Sequence, residues 1–252
     1  MKRNLVTKLA ALAIASAALA GQAVAGDKRP LGVVELFTSQ GCSSCPPADA
    51  VLGELAQRDD VVALAYHITY WDYLGWRDTL GSADNTQRQY DYGKSFGIRS
   101  VYTPQAVING RVHVNGADRS SVVGKLRGLA DAGEGLAVDL TVTRVGDSYM
   151  IDAGKGSAPH TKAHLVLVYF DTKKPVVIER GENTGATVTY WNAVSAIQAA
   201  GMWHGKAQRF ELPASEITKK AGCAVLLQSV DQSGLPGAIL GAAVIRGAGP
   251  SQ

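Results

Sequence analysis

Two apolar runs of strand length, Leu31–Thr38 and Val61–Tyr66, enclose a segment whose Val51, Leu52, Leu55 and Ala56 fall at helical spacing. A strand, a helix and a second strand in that order make a parallel crossover unit. The turn inside this unit reads Gly41-Cys42-Ser43-Ser44-Cys45-Pro46-Pro47. Two thiols separated by two residues close a small disulfide ring and open it again. Exchange chemistry needs that spacing, because one sulfur attacks a partner and the other resolves the mixed disulfide. The same pair also suits half a metal site or a static structural bridge, but the strand-to-helix setting favours a redox pair.

The beginning of the chain has the pattern of an export signal. Met1-Lys2-Arg3 supply the positive start, Leu9 to Leu19 an apolar run, and Ala23-Val24-Ala25 a small-x-small cleavage site before Gly26. The apolar run is shorter than the roughly 20 residues a membrane-spanning helix needs, so cleavage is expected rather than anchoring. The expected location is periplasmic or secreted, with no membrane anchor after cleavage. Loss of the leader removes Lys2, Arg3 and Lys8 from 25 basic residues, leaving 22 against 22 acidic ones. A neutral chain with scattered cations has no nucleic-acid footprint, which would need clustered Lys and Arg. The third cysteine, Cys223, sits in Cys223-Ala224-Val225-Leu226-Leu227 and reads as an inert thiol on a buried strand.

Further along, Ser82 to Phe96 is polar and reads as a surface helix. Ala106-Val107-Ile108, Asn109-Gly110 and Arg111-Val112-His113-Val114 read as a hairpin, since a type I′ turn needs positive φ at both central residues. Asp118 is placed to cap a last helix with Val122, Val123, Leu126 and Leu129 on its apolar face. From about residue 134 the pattern changes to alternation, as in Leu136, Val138, Leu140 and Val142. Tyr149–Ile151, Ala163–Phe170, Pro175–Glu179, Ala207–Leu212, Cys223–Val230 and Ala238–Ile245 are further strand candidates. Many strands with turns between them and little helix argue for a sandwich.

The order strand, Cys-x-x-Cys, helix, strand, helix, proline, hairpin, helix resembles the thioredoxin fold. Phe96-Gly97-Ile98-Arg99-Ser100-Val101-Tyr102-Thr103-Pro104 resembles the stretch carrying the cis-proline of thioredoxins. That resemblance implies a cis Pro104 against the cysteine pair, with Thr103 offering its backbone to a bound partner; a trans proline opening the hairpin strand is the other reading. The chain resembles more closely a family of secreted bacterial proteins known only as domain of unknown function 1223. The matching pieces are Glu35 to Asp49, Tyr70-Trp71-Asp72-Tyr73-Leu74-Gly75-Trp76 and Arg180-Gly181-Glu182-Asn183. The resulting expectation is an α/β thioredoxin-like domain followed by an all-β sandwich-like domain: signal 1–25, thioredoxin-like 26–133, sandwich-like 134–252. The sequence departs from thioredoxins at Ser43-Ser44 and in having no Trp before Cys42. Pro46 and Pro47 suit a first helical turn, and the residue before a proline is pushed from helical φ/ψ, so Cys45 is expected as a cap.

Several other groups are candidates. His67 follows the second strand at the edge where α/β sites gather; it reads as a base for Cys42, as a ligand beside both sulfurs, or as a structural imidazole. Glu35 reads as a carboxylate relaying a proton to Cys45 or as a solvent-facing strand residue. Trp71, Asp72 and Trp76 read as a partner rim or as a packed loop. Arg180, Glu182 and Asn183 carry no mechanism, and His113, His160, His164 and His204 are dispersed. The leading function is a periplasmic thiol–disulfide oxidoreductase: Cys42 nucleophile, Cys45 resolving, and Pro104 and Thr103 shaping the groove. It needs no cofactor and acts on protein thiols or disulfides. The alternatives are a Cu(I)-handling protein using Cys42, Cys45 and His67, and a binding module with a structural bridge.

Overall fold

The computed structural model describes residues 29–157, 162–218 and 220–246. The expected leader and His160 lie outside them. The fold is mixed α/β, with one large eight-stranded sheet, a small three-stranded sheet and few helices.

The first strand, β1 (Gly32–Thr38), is buried on both faces, as a central strand must be. Val33 and Phe37 pack toward one side, and Val34 and Leu36 toward the other. Helix α1 (Pro46–Ala56) begins with its two prolines in the first turn, where no N–H is needed. It returns the chain to β2 (Val61–His67), parallel to β1 with Thr38 opposite His67. Helix α2 (Ala83–Ser95) starts at Ser82, whose side chain accepts the Asn85 N–H. It was expected on the surface, yet its inner face buries Asn85, Gln89 and Tyr92.

The hairpin of β3 (Gln105–Ile108) and β4 (Val112–Asn115) turns through Asn109 and Gly110, with φ of 50° and 63°. Positive φ at both positions is what the Asn-Gly pair is suited to. Strand β3 runs antiparallel to β1. Asp118 caps α3 (Arg119–Asp131), which buries Val122, Leu126 and Leu129.

Six of the remaining strands are β5 (Leu140–Val145), β6 (Ser148–Ala153), β7 (Ala163–Val177), β8 (Thr187–Trp203), β9 (Gln208–Pro213) and β10 (Gly222–Val230); the last is β11 (Pro236–Arg246). The five-residue α4 (Ala214–Thr218) lies between β9 and β10. The large sheet has the order β11-β10-β7-β8-β2-β1-β3-β4, and the small one β5-β6-β9. The small sheet covers one face of β7, β10 and β11, enclosing Val142, Ile151, Leu167, Val225 and Trp203. The large sheet takes four strands from each side of residue 134, joined where β2 meets β8 at Ala65 and Ala193.

Strand β8 was not anticipated. Its 17 residues include Ser195, Gln198, Ala199, Ala200 and Gly201, which blur the alternation, and Asn192 interrupts it at φ 48°. Two strand candidates, 163–170 and 175–179, merge into β7, which pairs with β8 as a long antiparallel hairpin. This hairpin reaches α1: a Cβ on Gly53 would stand 2.8 Å from the Trp191 ring, so only glycine permits the approach.

Candidate functional site: the Cys42–Cys45 bridge

The chain leaves β1 through Ser39-Gln40-Gly41 and tightens at once. The Cys42 N–H donates to the Ser39 carbonyl (3.1 Å), and the Cys45 N–H to the Cys42 carbonyl (3.1 Å). This turn brings the two Cα atoms to 5.4 Å, and the sulfurs are bonded. Cys45 occupies the cap position as expected, but with helical φ/ψ of −80° and −36°. The hydrogen bonds from Ala48 and Asp49 N–H to its carbonyl, 2.8 and 3.1 Å, draw it into the helix despite the proline that follows. Cys42 keeps 2% of its surface exposed and Cys45 none, while Ser43 and Ser44 are exposed. Free Cys223 lies in the core, its thiol pushed up to about 12 by burial.

Three remote segments meet at this turn. The Thr103–Pro104 peptide is cis, and Thr103 Oγ1 donates to Cys42 Sγ at 3.3 Å. Trp71 Nε1 in turn donates to Thr103 Oγ1 at 2.7 Å. Gly41 lies close under Trp71: a Cβ there would meet the Trp71 carbonyl oxygen at 3.2 Å. From the turn joining β7 and β8, Asn183 Nδ2 donates to the carbonyls of Gln40 and Cys42, both at 2.9 Å. Gln40 is held further by Trp76, whose Nε1 donates to Gln40 Oε1 at 2.8 Å. Asn183 is a residue that sequence reasoning singled out without a role. Only its fold-level neighbours reveal what it does.

The expected rim residues thus do different jobs. Trp71 reaches the sulfur through Thr103, and Trp76 braces the Cys42 loop through Gln40. Asp72 Oδ1 accepts the Asp78 N–H at 3.1 Å and shapes the loop without approaching the bridge. Tyr73, 75% exposed, stacks on Trp71 at 6.2 Å between ring centroids, leaving an aromatic face beside the site.

Behind the bridge lies a buried polar cluster. His67 Nδ1 bonds Asp78 Oδ2 at 2.8 Å, and Tyr190 stands edge-on to the imidazole at 4.5 Å. Asp78 Oδ2 also accepts the Gln40 N–H, 2.8 Å away. Burial acts to raise the Asp78 carboxyl, but the His67 imidazole and the Gln40 and Leu80 N–H donors hold it below its usual range. Asp49, one helical turn beyond Cys45, accepts from Thr38 Oγ1 at 2.8 Å through one oxygen. Its other oxygen and His67 Nε2 are buried with no partner. Burial pushes the Asp49 carboxyl up to about 7, against the opposing pull of His67 and Thr38. Asp49 was missed as a site residue, although it shares a helical stripe with Leu52 and Ala56, where a carboxylate is out of place.

Glu35 lies elsewhere than expected, and at His67 the geometry matches the structural imidazole among its three readings. Glu35 faces the opposite side of the sheet from α1, where Arg88 Nε donates to it at 2.8 Å and the Tyr92 hydroxyl also donates to it. It is therefore no partner of Cys45. His67 is fully buried, has one nitrogen engaged by Asp78, and makes no hydrogen bond to either sulfur. Among the described residues no three His, Cys, Asp or Glu side chains are arranged to hold a metal ion.

Comparison with known proteins places this arrangement. An X-ray structure of an Agrobacterium tumefaciens protein is 44% identical, with a TM-score of 0.80, covering 90% of this chain and 99% of that one. HBP35 of Porphyromonas gingivalis shares the fold at a TM-score of 0.54 and 12% identity, over 90% of this chain and 80% of its own. No functionally curated protein matches. The model of a family described as "Protein of unknown function (DUF1223)" matches residues 33–228, and the chain belongs to that family.

Proposed function

We propose that this chain is a thiol–disulfide oxidoreductase of the bacterial periplasm, built on a thioredoxin-like half. The observation that carries the reading is the closed Cys42–Cys45 bridge at the junction of β1 and α1, with the cis Thr103–Pro104 bond and the Thr103 hydroxyl against Cys42 Sγ. The order β2-β1-β3-β4, with β1 and β2 parallel and β3 antiparallel, supports the thioredoxin-like assignment. The export pattern of the leader supports the compartment.

Chemical roles follow from exposure. Cys42 retains the only accessible edge of the bridge, so an incoming thiolate attacks Cys42 Sγ or, in the reduced protein, Cys42 attacks a substrate disulfide. Cys45, wholly buried, resolves the mixed disulfide. A raised buried carboxylate beside the pair is the kind of perturbed group that concentrates at working sites rather than in inert cores.

A glutathione redox titration of the full chain tests the proposal. The bridge is expected to equilibrate at potentials less negative than about −300 mV, and Cys42→Ser is expected to abolish exchange with a peptide disulfide. The burial of both sulfurs favours one other reading, a static structural bridge. A potential below about −300 mV, with no exchange by the wild type, would establish that alternative, and full exchange activity in Cys42→Ser would take the bridge out of the chemistry altogether.

A further inference from the structure

We infer that Trp71 is a positioning residue for the Cys42 thiolate, acting through the hydroxyl of Thr103. The inference rests on the redox reading for its biological meaning, and its chemistry is read from three atoms joined by successive hydrogen bonds: Trp71 Nε1, Thr103 Oγ1 and Cys42 Sγ, separated by 2.7 and 3.3 Å.

The indole N–H is a donor and nothing else, so Thr103 Oγ1 must be the acceptor in the shorter contact. A hydroxyl has one proton. With a lone pair occupied by the indole, that proton is directed at the sulfur. The orientation of the Thr103 hydroxyl is thus set by a residue 32 positions earlier in the chain.

The consequence depends on the oxidation state of the sulfur. A disulfide sulfur is a weak acceptor, whereas a thiolate accepts a charge-assisted bond about twice as strong as a neutral one. Reduction by two glutathione thiols breaks the Cys42–Cys45 bond, forms one glutathione disulfide and leaves two protein thiols. Ionisation of Cys42 then releases one proton. The Trp71–Thr103 relay strengthens only at this last stage, so it favours the reduced, ionised form over the bridge. Donation by the indole also polarises the hydroxyl it reaches, which adds to the effect.

Other groups near Cys42 do not substitute for this relay. Ser44 Oγ lies 3.5 Å from the sulfur on an exposed residue and is free to turn to water. The titratable groups around the turn are Asp49 on α1, His67 at the end of β2, Asp78 on the following loop, and Tyr70, whose hydroxyl lies against the Thr103 side chain. None makes a hydrogen bond to Cys42 Sγ; Asp78 and His67 bond each other, and Asp49 bonds Thr38. Asn183 holds the Cys42 carbonyl, not the sulfur.

The test measures the pH dependence of Cys42 alkylation by iodoacetamide in the full chain carrying Cys45→Ser. Cys223, buried and pushed up to about 12, does not interfere. Trp71→Phe keeps an aromatic ring and deletes the donor. It is expected to raise the Cys42 pKa by about one pH unit, the size of one hydrogen bond to a charged group. Thr103→Val is expected to raise it at least as far, and Trp71→Phe added to Thr103→Val to change nothing more. Thr103→Ser, which retains the hydroxyl, is expected to keep the original value. With Cys45 present, Trp71→Phe is expected to shift the glutathione equilibrium toward the bridge by up to about tenfold. An unchanged pKa in Trp71→Phe, or an equal shift with and without the Thr103 hydroxyl, overturns the relay. Failure of the wild-type bridge to exchange with glutathione would overturn the redox reading instead, and the alkylation profile would still decide the relay.

Discussion

Replacing Arg88 with methionine is expected to destabilise the protein by about 3–5 kcal/mol, the usual consequence of stranding one member of a buried ion pair. Arg88 lies on α2 with 9% of its side chain exposed, and its partner Glu35 on β1 is fully buried. The guanidinium is fixed on several sides: Nε to Glu35 Oε1 at 2.8 Å, and Nη2 to Gln228 Oε1 at 2.9 Å. The rings of Tyr66 and Tyr92 lie 5.4 and 5.1 Å from its central carbon. Methionine fills much of the same volume but leaves the Glu35 charge with little beyond the Tyr92 hydroxyl. Urea unfolding reads the effect directly. The double change Glu35→Gln with Arg88→Met is expected to recover most of the loss, because no charge is left uncompensated. A loss below about 1 kcal/mol in the single variant, the size of an ordinary surface pair, would show that this network does not hold the fold.

Asp49→Asn is expected to do the opposite and make the protein more stable at neutral and alkaline pH. Burial raises the Asp49 carboxyl from 3.8 to about 7 in the folded chain. Between those values the native state keeps a proton that the unfolded chain has released. Stability therefore falls as pH rises from about 4 to about 7, and the loss is complete above the folded value. The penalty at pH 8 is on the order of 4 kcal/mol. Asparagine retains an oxygen for the Thr38 hydroxyl and brings an N–H pair where His67 Nε2 has no partner. Urea midpoints measured at pH 5 and pH 8 should converge in Asp49→Asn and differ in the wild type. If the variant followed the wild-type pH profile, the carboxylate would not be the group that titrates.

Much of this was legible beforehand, and the exceptions have physical causes. The order β1, α1, β2 follows from short apolar runs around a helical stripe, signals carried within a few residues. The Asn109-Gly110 hairpin and the Asp118 cap are likewise local chemistry. Strand β8 escaped because its small and polar residues sit between two other strands, where backbone pairing rather than side-chain pattern defines the element. Glu35 alternates with Val33 and Phe37, so its burial could have been read. Its partner could not, since Arg88 is 53 positions away on a helix that looks polar throughout. The cysteine pair was visible at once, whereas Asn183 touches it across 141 residues. Local motifs mark the cysteine pair; only the fold reveals what surrounds it.

The long β7–β8 hairpin makes the two ends of the chain inseparable at this centre. A fragment stopping near residue 133 would lose both amide bonds from Asn183 and the tyrosine lying against His67. It would also uncover the flank of β2 that β8 now pairs, a bare hydrogen-bonding edge of the sort that recruits other chains into aggregates. Transplanting the Cys-x-x-Cys segment with its own α/β surroundings would carry the sulfurs but leave their scaffolding behind.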